Sequence, residues 1–398
     1  MGFDVAQVRG TDQLSHSWTY LNAADGPLIP ELVMSAVNTS FRTARTIDAP
    51  ATSGGTHARA ATPTRHSASF DLSARRAVAD LLGAKADCVI LGPDIPTLIQ
   101  ALMSGLPWPS PQAVVARTLP QAILSRFAGL DVTFAEPDLG TGELPTWQFN
   151  ELVTGATRLV MVPAADPLIG QVTDIATISD HVRSRSRAWL IADLTALAPY
   201  RPVHMNDLGA DIALIDFAAL GGPEVAALIL RDTSMFLRLK EGTFDHLRVA
   251  PALLGAVAPT VDHLAGLDAD APGNRRHRLA HSGRAAAEWL AALDTYAIDS
   301  LIGLGVHVAG ISGDAAAGDP RNANRIGRIT FTMPGIPATT IHQRLLAHGI
   351  VTTLAGEQSP LVTLMGIEEA GGGITVGLAP YNKHQDVDQL IRAVASLA

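Results

Sequence analysis

Lysine is scarce in this 398-residue chain. Of its 29 basic residues only Lys85, Lys240 and Lys383 carry a side-chain amine, and the others are arginines. Cysteine is scarcer still. Cys88 stands alone, which excludes an internal disulfide and a cysteine-based metal cluster, and its place at the head of an apolar stretch reads as a small buried hydrophobe. No run of 18 or more apolar residues reads as a membrane span. The opening MGFDVAQVRG lacks the charged and apolar regions of a signal peptide, so a soluble, cytoplasmic protein is expected. The net charge is −9 with no basic stripe, which argues against a nucleic-acid partner. Internal repeats and low-complexity runs are also missing.

What is present is apolar and periodic. Hydrophobic residues make up 47% and charged residues 17%, enough to bury a large core and too apolar for disorder. The length fits a large domain with a smaller one. Short apolar runs at 88–92, 113–117, 131–136, 157–164, 188–193, 210–216 and 226–230 read as strands. Helical patterns lie between several of them, at 95–103, 120–128 and 175–186. This alternation predicts an α/β fold with a mostly parallel seven-stranded sheet, covered by helices on both faces. The strand ends near Gly92, Ala164, Asp193 and Asp216 should share the rim where such folds bind ligands. Helices are predicted over 28–46 and 72–84, with a polar loop over 54–69 between them. The last third reads as strand 325–335, helix 338–350, strand 371–381 and helix 384–398. We therefore expect a large α/β domain over 15–265 and a smaller α+β domain over 266–398, with residues 1–14 packing on the latter.

Six segments in order resemble the class V aminotransferases and their best-known members, the cysteine desulfurases, which have the fold type I architecture of PLP (pyridoxal phosphate) transferases. They are Tyr20-Leu21-Asn22-Ala23-Ala24, Arg75–Ala79 with Leu82-Gly83-Ala84, Thr157–Val160, Ile191-Ala192-Asp193, Ala210-Asp211 through Gly221-Gly222-Pro223, and Gly377–Asn382. The resemblance implies PLP chemistry, in which a lysine forms a Schiff base with the cofactor and an Asp steadies the protonated ring nitrogen. Asp193 matches that Asp. Counted back from Gly222-Pro223, however, Ala219 stands in the lysine position, Ala218 in that of a His and Asp216 in that of a phosphate-binding Ser. A methyl group cannot form an imine.

Other positions implied by the resemblance depart too. The phosphate cup reads Gly92-Pro93-Asp94-Ile95-Pro96, where Pro93 removes a backbone donor. Asp94 and Asp216 would both face a phosphate, at a cost of about 4 kcal/mol per like-charge pair at about 4 Å in a medium of intermediate dielectric. The Asn that contacts the ring hydroxyl maps near Asp166, the Gln after the ring Asp maps to Ala196, and the Arg that grips the substrate carboxylate maps to Thr375, leaving no bidentate fork there.

The expectation from these departures is a degenerate member of the family, without cofactor or bound metal, serving as a non-catalytic homologue or partner. One alternative is a PLP-independent enzyme that reuses the old cavity for another small molecule, with Asp193, Asp216, His57 and His66 as acid and base. A second is an aminotransferase or lyase that holds PLP or its amine form noncovalently. Arg59 and Arg65 share the polar loop with His57 and His66, a combination that could bind an anion or move protons. The run from Tyr200 through Arg201 to His204 reads as structural. The resemblance also implies a homodimer.

Overall fold

The computed structural model describes residues 3–11, 18–48, 64–108, 111–311, 324–355 and 359–397. Its centre is a seven-stranded sheet. The strands are β1 (Val89–Gly92), β2 (Gln112–Ala116), β3 (Asp131–Ala135), β4 (Thr157–Pro163), β5 (Trp189–Asp193), β6 (Ile212–Asp216) and β7 (Ala226–Leu230), in spatial order β1-β7-β6-β5-β4-β2-β3. β2 to β6 pair in parallel, and β7 runs antiparallel to both of its neighbours. The near-continuous apolar sequence of these strands follows from their position: a sheet covered on both faces has no solvent side to require alternation.

The pairing register places the rim. Ala226 pairs with Gly92 on one side and with Asp216 on the other, and Pro163 pairs with Asp193. Gly92, Pro163, Asp193 and Asp216 therefore end at one edge of the sheet, as the alternation predicts.

Helices α1 (Glu31–Thr43), α2 (His66–Leu82), α3 (Ile95–Gly105) and α4 (Ile175–Arg185) follow the sequence pattern, with one correction. α2 begins at His66, inside the stretch read as loop. The backbone N–H of His66 reaches Thr46 O at 3.2 Å, which ties the start of that helix to the end of the preceding one. α5 (Pro251–Ala265) was not legible from periodicity, because it is apolar nearly all round and contains Pro259. It lies against α1 at close range. A Cβ on Gly255 would come within 2.4 Å of Ser40 Cβ, while Ser40 Oγ donates to Ala252 O at 2.6 Å.

α6 (Arg275–Gly303) is capped by Asn274, whose side chain accepts from His277 N, and leads to a four-stranded antiparallel sheet. Its strands are β8 (His307–Val308), β9 (Arg328–Thr332), β10 (Thr353–Ala355) and β11 (Gly373–Gly377), in order β8-β9-β11-β10, accompanied by α7 (Ala338–Ala347) and α8 (His384–Ala395). One buried apolar cluster runs through both sheets. The N-terminal helix Val5–Thr11 lies against the C-terminal segment, with Arg9 Nη1 2.8 Å from Asp386 Oδ2. Asn382 explains why the first and last motifs of the resemblance meet: its buried amide donates to Tyr20 O at 2.9 Å and accepts from Ala379 N at 2.8 Å. Among the described residues no helix is long and apolar enough to cross a membrane.

A buried charge network lies between the two sheets. Arg325 donates to Gly310 O and Ile169 O, and it feels the carboxylates of Asp294 and Asp166. Burial pushes Asp294 up to about 7 despite Arg325 and Arg201, and its Oδ1 has no hydrogen-bond partner. The folded state thus holds this proton more tightly than the unfolded chain does. The resulting stabilisation is complete below about pH 4 and is lost as pH rises through about 7. Asp294→Asn, which keeps the shape of the neutral form, should match the wild type near pH 4 and be more stable at pH 8, by up to about 4 kcal/mol. Urea unfolding at the two pH values checks this, and an equal difference at both would show that Asp294 does not titrate in that range.

Candidate functional site

The rim gathers carboxylates. Asp193 ends β5, and its Oδ1 accepts from Thr195 N at 3.0 Å. Asp216 ends β6 and caps the single 3-10 turn Phe217–Leu220, its Oδ1 accepting from Ala218 N at 3.0 Å. Thr195 joins the two strands: its Oγ1 accepts from Asp216 N at 3.1 Å, and its side chain is hydrogen-bonded to Asp193. Burial raises the Asp193 carboxyl against the two hydrogen bonds from Thr195. Burial also raises Asp216, and the charges of Asp193, Asp94 and Glu224 raise it further. Carboxylates crowded in this way hold protons more tightly than free ones, the property an acid–base pair needs.

Ala219 lies in the turn that Asp216 caps. Gly221 ends this turn at φ +71°, and a Cβ there would meet Leu28 O at 2.7 Å. The turn is thereby pressed against the segment that enters α1. Ala219 lines a cavity of about 50 Å³ with Leu28, Tyr200, His263, Arg328 and Tyr381 among its walls. The lysines lie elsewhere. Lys85 precedes β1 at the end of the sheet opposite Gly92, Lys240 follows β7 and reaches Ser104 O, and Lys383 caps α8.

The remaining predicted positions separate into those that meet at the rim and those that do not. Asp94 belongs to the acidic group and also caps α3, accepting from Thr97 N at 2.6 Å. Asp166 turns instead toward its own loop. Its Oδ1 accepts from Leu168 N and Ile169 N, its buried Oδ2 has no partner, and its nearby cation is Arg325. Ala196 packs against the core. Thr375, fully buried, shares a 2.6 Å hydroxyl contact with Thr330 on the neighbouring strand. His66 opens α2 with its ring 6.0 Å from that of Phe70. His57 and Arg59 lie outside the described residues, as does the side chain of Arg65. Among the described residues no group of three metal-ligating side chains could hold an ion. Tyr200 and Arg201 are structural: Tyr200 donates to Leu378 O at 2.6 Å, and Arg201 donates to Asn324 and Arg325.

Three residues of the site were not picked out from the sequence: Thr195, Glu224 and Arg328. Thr195 and Glu224 act through neighbours that only the fold supplies. Arg328 left a signal, a lone charge at the head of an otherwise uncharged strand, Arg328–Thr332, that is buried throughout.

For the cofactor of the resembled family the residues give a divided answer. Asp193, a buried carboxyl at a strand end, suits a protonated ring nitrogen. Ala219 offers no amine, and Asp94 and Asp216 put carboxylates where a phosphate would lie. By the resemblance, a partner for the ring nitrogen is present and those for the aldehyde and the phosphate are missing.

The comparisons with known proteins agree on the family. Residues 112–234 match the model for aminotransferase class-V. An uncharacterized protein of Mycobacterium tuberculosis is 34% identical over the full length of both chains. An aminotransferase-like protein of Gibberella zeae is 23% identical over 84% of each. Two solved structures share the fold. The apo cysteine desulfurase from Thermococcus onnurineus has 16% identity and a TM-score of 0.76 over 98% of this chain and 97% of that one. The cysteine desulfurase CsdA from Escherichia coli has 18% identity and a TM-score of 0.77 over 100% and 98%. These matches overturn the expectation of a cofactor-free protein, because the family and its structural neighbours are PLP-dependent and the cleft is therefore that of a cofactor-binding lineage. From the whole-length identity and the match across the central sheet, this chain belongs to the aminotransferase class-V family.

Proposed function

We propose that this chain is a member of the family that does not carry out the lysine–aldehyde step and acts as a non-catalytic homologue or partner of active relatives. The observation that carries this reading is Ala219, a methyl group in the turn after β6 where the resemblance puts the reacting amine. The cavity beside it supports the same reading, since about 50 Å³ with mostly apolar walls is far below the size of an ordinary ligand pocket. When bound, PLP supplies an electron sink for bonds at an amino-acid carbon, and Asp193 is the residue that would hold its ring nitrogen. Occupancy of the cleft by the cofactor is a separate matter from the covalent step.

A second reading is favoured by one observation, the joining of Asp193 and Asp216 through Thr195 with both carboxyls raised. Here the chain is an enzyme whose acid and base are these two residues, with His57 and His66 as further candidates. The homodimer expected from the resemblance is supported by an apolar stripe on α1, where Met34 is 54% and Phe41 61% exposed one pair of turns apart.

Two experiments test these readings. The purified protein should be incubated with PLP, reduced with borohydride and digested. No pyridoxyl-lysine should be found and no cysteine or alanine should be turned over. A modified lysine in the wild-type digest together with turnover would overturn the proposal. Asp216→Asn separates the two readings. The raised carboxyl costs stability once ionised, so the variant should melt higher than the wild type at pH 8. In a non-catalytic protein nothing else changes, while in the second reading the variant loses turnover of whatever substrate a metabolite screen identifies.

Light scattering tests the dimer. The wild type should show twice 41.7 kDa, and the double variant Met34→Glu, Phe41→Glu should fall to a single chain mass. A monomeric wild type would remove the dimer from the proposal.

A further inference from the structure

Arg328 is 3% exposed, and neither its Nε nor its Nη1 has a hydrogen-bond partner. A buried guanidinium with unused donors is costly unless a negative group completes it. Among the described residues no carboxylate is in place to do so. The residues lining the cavity beside Ala219 include no Asp or Glu, and the only other basic side chain there, His263, is pulled down to about 4 by burial and is neutral. The groups whose charges act on Arg328 are the phenols of Tyr200 and Tyr381, and its Cζ sits 5.1 Å from the centroid of the Tyr200 ring.

The fold makes room for this side chain. Arg328 pairs with Gly377 across β9 and β11, and a Cβ on Gly377 would lie 2.7 Å from Arg328 Nη1. The same Cβ would lie 2.2 Å from the backbone N of Ala24, so the close approach of that segment requires the glycine in any case. The position that the resemblance assigns to a carboxylate-gripping arginine, Thr375, lies on β11 and is occupied by its contact with Thr330, so Arg328 is a different residue on a different strand.

We propose that Arg328 and the cavity beside Ala219 form a binding site for a small monoanion, the carboxylate of a short organic acid, drawn there by a buried guanidinium whose charge no acid in the cavity wall balances. Guanidinium and carboxylate are matched in charge and in planar hydrogen-bonding geometry. Charge balance favours it over phosphate, because one guanidinium within apolar walls neutralises one negative charge and leaves a dianion uncompensated. The size agrees: about 50 Å³ holds a few water-sized atoms and excludes long chains.

Thermal melting of the full-length protein at constant ionic strength tests the site. The reference salt is gluconate, whose six-carbon chain is too large for the cavity. Saturating acetate should raise the wild-type melting temperature by about 2 °C or more, and inorganic phosphate should raise it less. Arg328→Met should show no acetate response and should melt no lower than the wild type in gluconate, because it removes a charge that the cavity wall does not balance. Arg328→Lys should keep a weaker response, as a point charge without the fork. The site is refuted if the wild type does not respond to acetate, if Arg328→Met responds as the wild type does, or if phosphate stabilises more than acetate. Arg328→Met melting below the wild type in gluconate would also refute it, since Arg328 would then be part of the scaffold. None of these outcomes depends on whether the protein turns over a substrate.

Discussion

The rim is governed by crowded carboxylates that repel one another. Asp193 and Asp216 end adjacent parallel strands, Thr195 ties one to the other, and Asp94 and Glu224 add their charges to Asp216. Three of these residues also do local work. Asp94 caps a helix, Asp216 caps the turn that contains Ala219, and Asp193 closes a turn onto Thr195. The capping bonds hold the carboxylates in place, so they cannot swing apart to relieve their repulsion. Proton uptake is the relief left to Asp193 and Asp216, and on Asp216 burial and the neighbouring charges act in the same direction.

The same constraint explains how the cofactor expectation went too far. By the resemblance the reacting amine is missing, and Ala219 lies in the turn after β6. The covalent link is one bond among many that hold a cofactor, and the rest are distributed over the ring face, the ring nitrogen and the phosphate. Loss of the link removes a chemical step. It does not by itself remove the chain from the lineage, which the family match shows. Asp193 illustrates the difference: the resemblance gives this strand-end carboxyl a ring nitrogen to hold, a role that does not require a lysine nearby.

The fold was legible because parallel strands buried on both faces leave an unmistakable apolar record, and because helix starts such as Asp94 and Asp174 carry their caps in the sequence. α5 left no such record. A helix buried on nearly every side has no polar face to set a period, and Pro259 breaks the propensity that remains. The start of α2 was missed because Gly, Thr, Ser, Arg and His before residue 70 resemble loop composition, while the helix there is fixed by packing. At the rim, Asp193 and Asp216 end strands as the apolar runs predict, and Ala219 lies in the turn that follows. Thr195 and Arg328 were not, because each derives its role from a strand distant in sequence. Asp166 was placed near the cofactor by counting, yet its side chain bonds to its own loop and lies by Arg325. Motif spacing fixes where the backbone goes, but the rotamer answers to the nearest donors.

Asp216 caps the turn that contains Ala219, Arg328 lines the cavity beside it, and the two do not neutralise each other. The groups that act on Asp216 are acids, and those that act on Arg328 are phenols. Had the two been paired, the cavity beside Ala219 would be a closed ion pair with both partners satisfied, and the turn would be an ordinary piece of scaffold. Keeping them apart costs stability at both places. A fold whose only task was to stand still would gain by replacing Arg328 with an apolar side chain. A buried cation with no acid beside it is therefore better explained by a negative group that comes and goes than by packing alone.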